Sequence, residues 1–98
     1  MQYKILNSKS EPIKSNVTLH PGTVIEMELE TRGLKKRFFA EQLGISPSQL
    51  SELINEKRHI SAKLALKLEN LLEIDAEFWM RVQASYDIAI ARRAMAAV

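Results

Sequence analysis

Ninety-eight residues, 46% of them hydrophobic, make one small domain with a modest core and leave no room for a second. The absence of cysteine excludes a disulfide framework and a thiolate metal site. No apolar run approaches the roughly 18 residues of a membrane helix, and "MQYKILNSKS" lacks a signal-peptide core, so a soluble, cytoplasmic chain without membrane contact is expected. A net charge of +2 is too small to argue for nucleic acid by itself, so the placement of charge matters more than its total.

The predicted elements begin after a change of character near residue 19. Residues 1–18 carry Pro12, several Ser, Asn and Lys, and short apolar patches such as "YKIL" and "NVTL"; they read as an N-terminal arm, with a short strand, ahead of a domain over 19–98. Pro21 suits a first helical turn, and Val24, Ile25, Met27, Leu29 and Gly33 outline a first helix over 21–32. A second spans 36–43 and stops at Gly44. Ser46, Pro47, Ser48 and Gln49 spell a capping box that starts a third helix ending near Asn55. Ser61 caps a fourth, striped by Ala62, Leu64, Ala65, Leu68, Leu71 and Leu72, and Asp75 caps a longer fifth over 76–95. The fold class is all-α, a five-helix bundle.

On the third helix Leu50, Leu53 and Ile54 share one face at 100° per residue, while Ser48, Ser51, Glu52 and Asn55 fall on the other. The connector Gly44-Ile45-Ser46 is short and Ala40 is small, which forces a steep crossing and a helix-turn-helix with its second helix projecting outward. A DNA major groove of about 12 Å admits one such helix, and short side chains let it approach the base edges. Ser48, Gln49, Ser51, Glu52 and Asn55 are therefore the expected base readers. Two basic clusters, one around Arg32, Lys35, Lys36 and Arg37, the other around Lys57, Arg58, His59 and Lys63, flank this face. From them Lys35, Lys36, Arg37, Lys57 and Arg58 are the expected phosphate contacts. Glu52 argues the other way, since a carboxylate there is repelled by phosphates unless it accepts a bond from cytosine N4.

Catalysis is not expected. His20 and His59 have no neighbouring carboxylates in a metal-ligand pattern, so no metal or cofactor is assigned; His20 suits the start of a helix and His59 a solvated loop. Three glycines form no phosphate loop, and no serine has a nucleophile-elbow setting.

Several stretches together, "HPGTVIEMELETRG", "FFAEQLGISPSQLSELINEKRHIS", "ALKLENLL" and "AEFWMRVQASYDIAIA", resemble the HigA-type antitoxins of the Xre-like helix-turn-helix group, over residues 20–91. Trp79, Gln83, Tyr86 and Asp87 match that family's last helix and separate it from generic phage-type repressors. The resemblance implies a lambda-repressor-like fold, a homodimer on a palindromic double-stranded operator, repression of its own operon, and a HigB-type toxin partner, a RelE-like mRNA endonuclease. Lys36 stands where many relatives carry glutamine, and Glu56 where a glycine is common.

The last helix carries two apolar stripes, Phe78, Trp79, Val82, Tyr86, Ala89 and Ile90 in one, Met80, Ala84, Ile88, Ala91 and Met95 in the other, separated on one side by Gln83 and Asp87. One stripe suits the core and the other a partner, so Met80, Ala84, Ile88, Ala91 and Met95 are the expected dimer interface. Two further readings stand beside the antitoxin: a stand-alone helix-turn-helix transcriptional regulator, and a protein-only adaptor favoured by Glu52 and the small net charge.

Overall fold

The computed structural model describes residues 18–97, so the expected arm lies outside the described residues except for Thr18. Five helices follow one another among the described residues: α1 (Pro21–Arg32), α2 (Lys36–Leu43), α3 (Pro47–Ile54), α4 (Ala62–Leu72) and α5 (Ala76–Ala96). Their starts coincide with the capping signals in the sequence. The neutral His20 ring accepts the Gly22 N–H through Nδ1 at 2.9 Å. Ser46 and Gln49 close a reciprocal capping box, Gln49 N–H to Ser46 Oγ at 3.0 Å and Ser46 N–H to Gln49 Oε1 at 2.9 Å. Ser61 Oγ accepts from Leu64 N–H at 3.1 Å.

Asp75 departs from expectation. It occupies the N-cap position of α5, but its side chain makes no cap bond. The Ala76 N–H donates instead to Glu69 Oε2 of α4, at 3.0 Å, so the orphan donor is satisfied across the helix pair rather than within the turn.

Two helix ends are also closed by distant groups. Gly44, at φ 77°, donates its N–H to the carbonyls of Ala40 and Glu41, and Lys67 Nζ reaches the Leu43 carbonyl at 3.2 Å. Arg32 bonds Glu28 at 2.9 Å and donates from Nη2 to the Leu72 carbonyl at 2.7 Å, closing the end of α4. Beyond α3 the chain turns through Glu56 at φ 64°, a left-handed conformation that favours glycine.

The core is built where α1 meets α3, α2 meets α3 and α4, and α4 meets α5. Ile25, Leu43, Leu53, Leu68 and Leu72 are buried there, each contributing about 1.5–3 kcal/mol by leaving water. Trp79 is fully buried, and its indole N–H is satisfied by the Ile74 carbonyl at 3.0 Å. Gly22 is buried where α1 crosses the end of α3: a Cβ there would lie 1.9 Å from the Leu53 carbonyl oxygen.

The inward face of α5 is rotated from the expected stripe. Ala76, Trp79 and Gln83 are its buried residues, while Phe78, Val82 and Tyr86 are half-buried and Ile90 is exposed. Gln83, expected between two apolar stripes, points inward because its Oε1 accepts the buried Ile60 N–H at 2.8 Å. Its Nε2 donates to Asp87 Oδ1 at 3.0 Å. The loop that follows α3 is thereby fastened to α5.

Candidate nucleic-acid interface

Leu50, Leu53 and Ile54 are buried beneath α3, and Ser48, Ser51, Glu52 and Asn55 are exposed on its outer side. Gln49 is half-buried, and its carbonyl oxygen is held by the capping box. Asn55 donates from Nδ2 to Ser51 Oγ at 3.3 Å, one helical turn away. Arg58, just past the helix, folds back so that Nε donates to Glu52 Oε1 at 3.2 Å. The central carboxylate is thus paired within the chain.

Exposed cations lie at the start of α2 and just past the end of α3. Lys35, Lys36 and Arg37 are exposed at the start of α2, whose N-cap, Lys35, makes no side-chain cap bond. Lys36 stands 3.7 Å from Glu26, an exposed ion pair that is worth little. Lys57 is exposed at the far end, its backbone N–H bonded to the Glu52 carbonyl at 2.8 Å. Arg32 belongs to the first basic cluster in sequence only, because its guanidinium is spent on Glu28 and Leu72. Phe38, exposed on α2 close to these cations in sequence, carries no helical-period signal that would single it out.

Behind α3 lies a polar network that sequence spacing does not reveal. The Glu56 carboxylate accepts from Thr23 Oγ1 at 3.4 Å and from Tyr86 Oη at 3.5 Å. The rings of His20 and Tyr86 meet edge to face, 4.6 Å between centroids and 89° between planes. His59 Nδ1 is 3.9 Å from Asp87 Oδ1. His20 is held below its ordinary 6.5, chiefly by burial; Glu56 and Asp87 oppose this and His59 reinforces it. The network ties α1, the loop after α3, and α5 together, so the end of α3 is held to both neighbours.

On α5, Ala84, Ile88, Ala91 and Met95 are exposed, whereas Met80 is half-buried against the core. Met80 and Ala84 also line an apolar groove with Ala62, Leu66 and Ala76. Among the described residues no group of three or more His, Cys, Asp or Glu is placed to hold a metal ion. No described helix is long and apolar enough to cross a membrane.

The helix-turn-helix family matches residues 25–79, more than half of the chain. The chain belongs to that family. Virulence-associated protein A of Dichelobacter nodosus is 43% identical over 72 residues, covering 71% of each chain. Virulence-associated protein A' of the same organism is 42% identical over 71 residues, of which the chain spans 62% of the relative's length. Among solved structures, an antidote protein of a plasmid maintenance system from Nostoc punctiforme superposes with a TM-score of 0.78 at 30% identity, over 82% of this chain and 88% of that one. The Pseudomonas aeruginosa antitoxin HigA, solved with the higBA promoter, gives a TM-score of 0.74 at 30% identity, over 80% and 86%. The helix-turn-helix protein described here is therefore of the HigA type, as the Trp79, Gln83, Tyr86 and Asp87 pattern implies. Within this family frame, the left-handed Glu56 stands where the resemblance expects glycine, and its carboxylate is used rather than merely tolerated.

Proposed function

We propose that this chain is the antitoxin of a type II toxin-antitoxin module, which binds operator DNA as a dimer, represses its own operon and neutralises a RelE-like mRNA endonuclease toxin. The observation that carries the reading is the outer face of α3: short polar side chains, with exposed cations at the start of α2 and just past α3, in a fold shared at 30% identity with a HigA solved on its promoter. In this reading Ser48 and Ser51 let α3 sit deep in the major groove, with Gln49, Glu52 and Asn55 towards base edges. Lys35, Lys36 and Arg37 hold one phosphate track beside the uncapped N-terminus of α2, and Lys57 the other. The exposed Ala84, Ile88, Ala91 and Met95, with Met80 at the edge, form the two-fold contact that spaces two reading helices about 34 Å apart. The Arg58 pairing weakens the adaptor reading, since Glu52 no longer presents an unbalanced charge.

The test is binding to the duplex upstream of its own gene over a salt series. Each phosphate contact contributes about −0.9 to the slope of log affinity against log salt, so Lys36→Ala in a symmetric dimer should flatten it by roughly 1.8. An unchanged slope removes Lys36, and salt-independent wild-type affinity removes DNA binding altogether. The toxin half is read separately: the adjacent open reading frame, co-expressed, should co-purify with this chain and lose its toxicity. Operator binding without such a complex would leave a stand-alone regulator.

A further inference from the structure

We propose that Glu52 and Arg58 act as one reading unit for a C·G base pair, with Arg58 a specificity-determining residue rather than an independent phosphate contact. The inference rests on the DNA-binding reading of α3. Arg58 reaches back six positions and donates through Nε to Glu52 Oε1 at 3.2 Å, and both side chains stay substantially exposed. This geometry engages one N–H of the guanidinium and one carboxylate oxygen. The two terminal nitrogens of Arg58 and the second oxygen of Glu52 are left for a ligand.

The chemistry of the groove selects what such a pair accepts. A C·G pair presents the cytosine N4 amino donor beside the guanine O6 and N7 acceptors. Glu52 can take the amine while the braced Arg58 fork faces the two acceptors, so both charges are satisfied on one base pair. On an A·T pair the adenine amine could still meet Glu52, but the fork would meet thymine O4 and its methyl group. The pair is also neutral as a whole. Removing either member exposes the other to the phosphate field, and the two removals act with opposite sign.

That sign pattern is the test. Wild type, Glu52→Ala, Arg58→Ala and the double variant are titrated onto random-sequence duplex DNA, and each then selects from a pool of duplexes randomised over about two helical turns. Circular dichroism and melting verify folding, and Glu52→Gln repeats the charge test if an alanine variant melts early. On random DNA, Glu52→Ala should bind at least about five-fold tighter, Arg58→Ala at least about five-fold weaker, and the double variant within about two-fold of wild type. In the selection, wild type should favour C·G at one position per half-site by about ten-fold, and variants lacking either Glu52 or Arg58 should lose that preference. Undiminished C·G preference in Arg58→Ala would make Arg58 an ordinary phosphate contact and overturn the proposal, while leaving α3 as the DNA-binding element. Undiminished C·G preference in Glu52→Ala would overturn it equally. Absence of salt-dependent binding by wild type would overturn both readings together.

Discussion

Gly22→Ala is the perturbation that most directly tests how α3 is seated. Gly22 is buried in the first turn of α1, and a Cβ built on it meets three backbone atoms: the Leu53 oxygen at 1.9 Å, the Leu53 carbonyl carbon at 2.7 Å and the Ile54 Cα at 2.9 Å. Ordinary contact begins near 3.4 Å, so the end of α3 must retreat by about 1.5 Å. No side chain can rotate away, because the obstruction is backbone. The cost therefore belongs at the upper end of the overpacking range, about 3 kcal/mol, or roughly 12–24 °C in Tm for a domain of this size. Gly33→Ala is the internal control. Gly33 sits at φ 68° with nothing within 4 Å of a built Cβ, so only its left-handed backbone resists substitution, at about 1 kcal/mol. Chemical denaturation of both variants measures the difference, and DNA titration of the folded fraction should show weaker binding for Gly22→Ala alone. If Gly22→Ala costs no more than Gly33→Ala, α1 and α3 do not cross as closely as described.

Three other outcomes are expected. Ile88, half exposed on the isolated chain, should lie inside the two-fold contact; Ile88→Asp then buries a charge at a cost of several kcal/mol and yields a folded monomer in light scattering, whereas an unchanged dimer rejects that placement. His20 accepts the Gly22 N–H only as the neutral ring, and its pKa lies below 6.5, so as pH falls the unfolded chain takes up the proton first; this contribution is complete above 6.5 and is lost as pH falls through the folded value. His20→Asn keeps a capping acceptor that does not titrate, so its stability should fall less steeply than wild type between about pH 7 and 5, and an equal slope in urea melts at each pH contradicts this. Glu56→Gly should gain about 1 kcal/mol or less, because relief of the left-handed backbone outweighs two long hydrogen bonds; a loss of stability would show that the Thr23 and Tyr86 contacts dominate.

The sequence by itself determined the five helices and the polar face of α3, because those signals act within one turn. Ser46 and Gln49 find each other at three residues' spacing, Gly33 and Gly44 stop helices by their own backbone freedom, and 100° per residue separates Leu50, Leu53 and Ile54 from Ser48, Ser51 and Glu52. Tertiary structure alone decided the partners that lie far along the chain. Periodicity marks Gln83 as a polar break in α5, yet the buried Ile60 N–H, 23 residues away, turns it inward. Composition places Arg32 in a basic cluster, and the Leu72 carbonyl, 40 residues on, engages its guanidinium at the end of α4. The "HPG" stretch announces a helix start, but why the third residue is glycine follows only from the Leu53 backbone lying against it. Local geometry is written in neighbouring residues, whereas the satisfaction of a buried donor or the closeness of two backbones depends on which helices pack together.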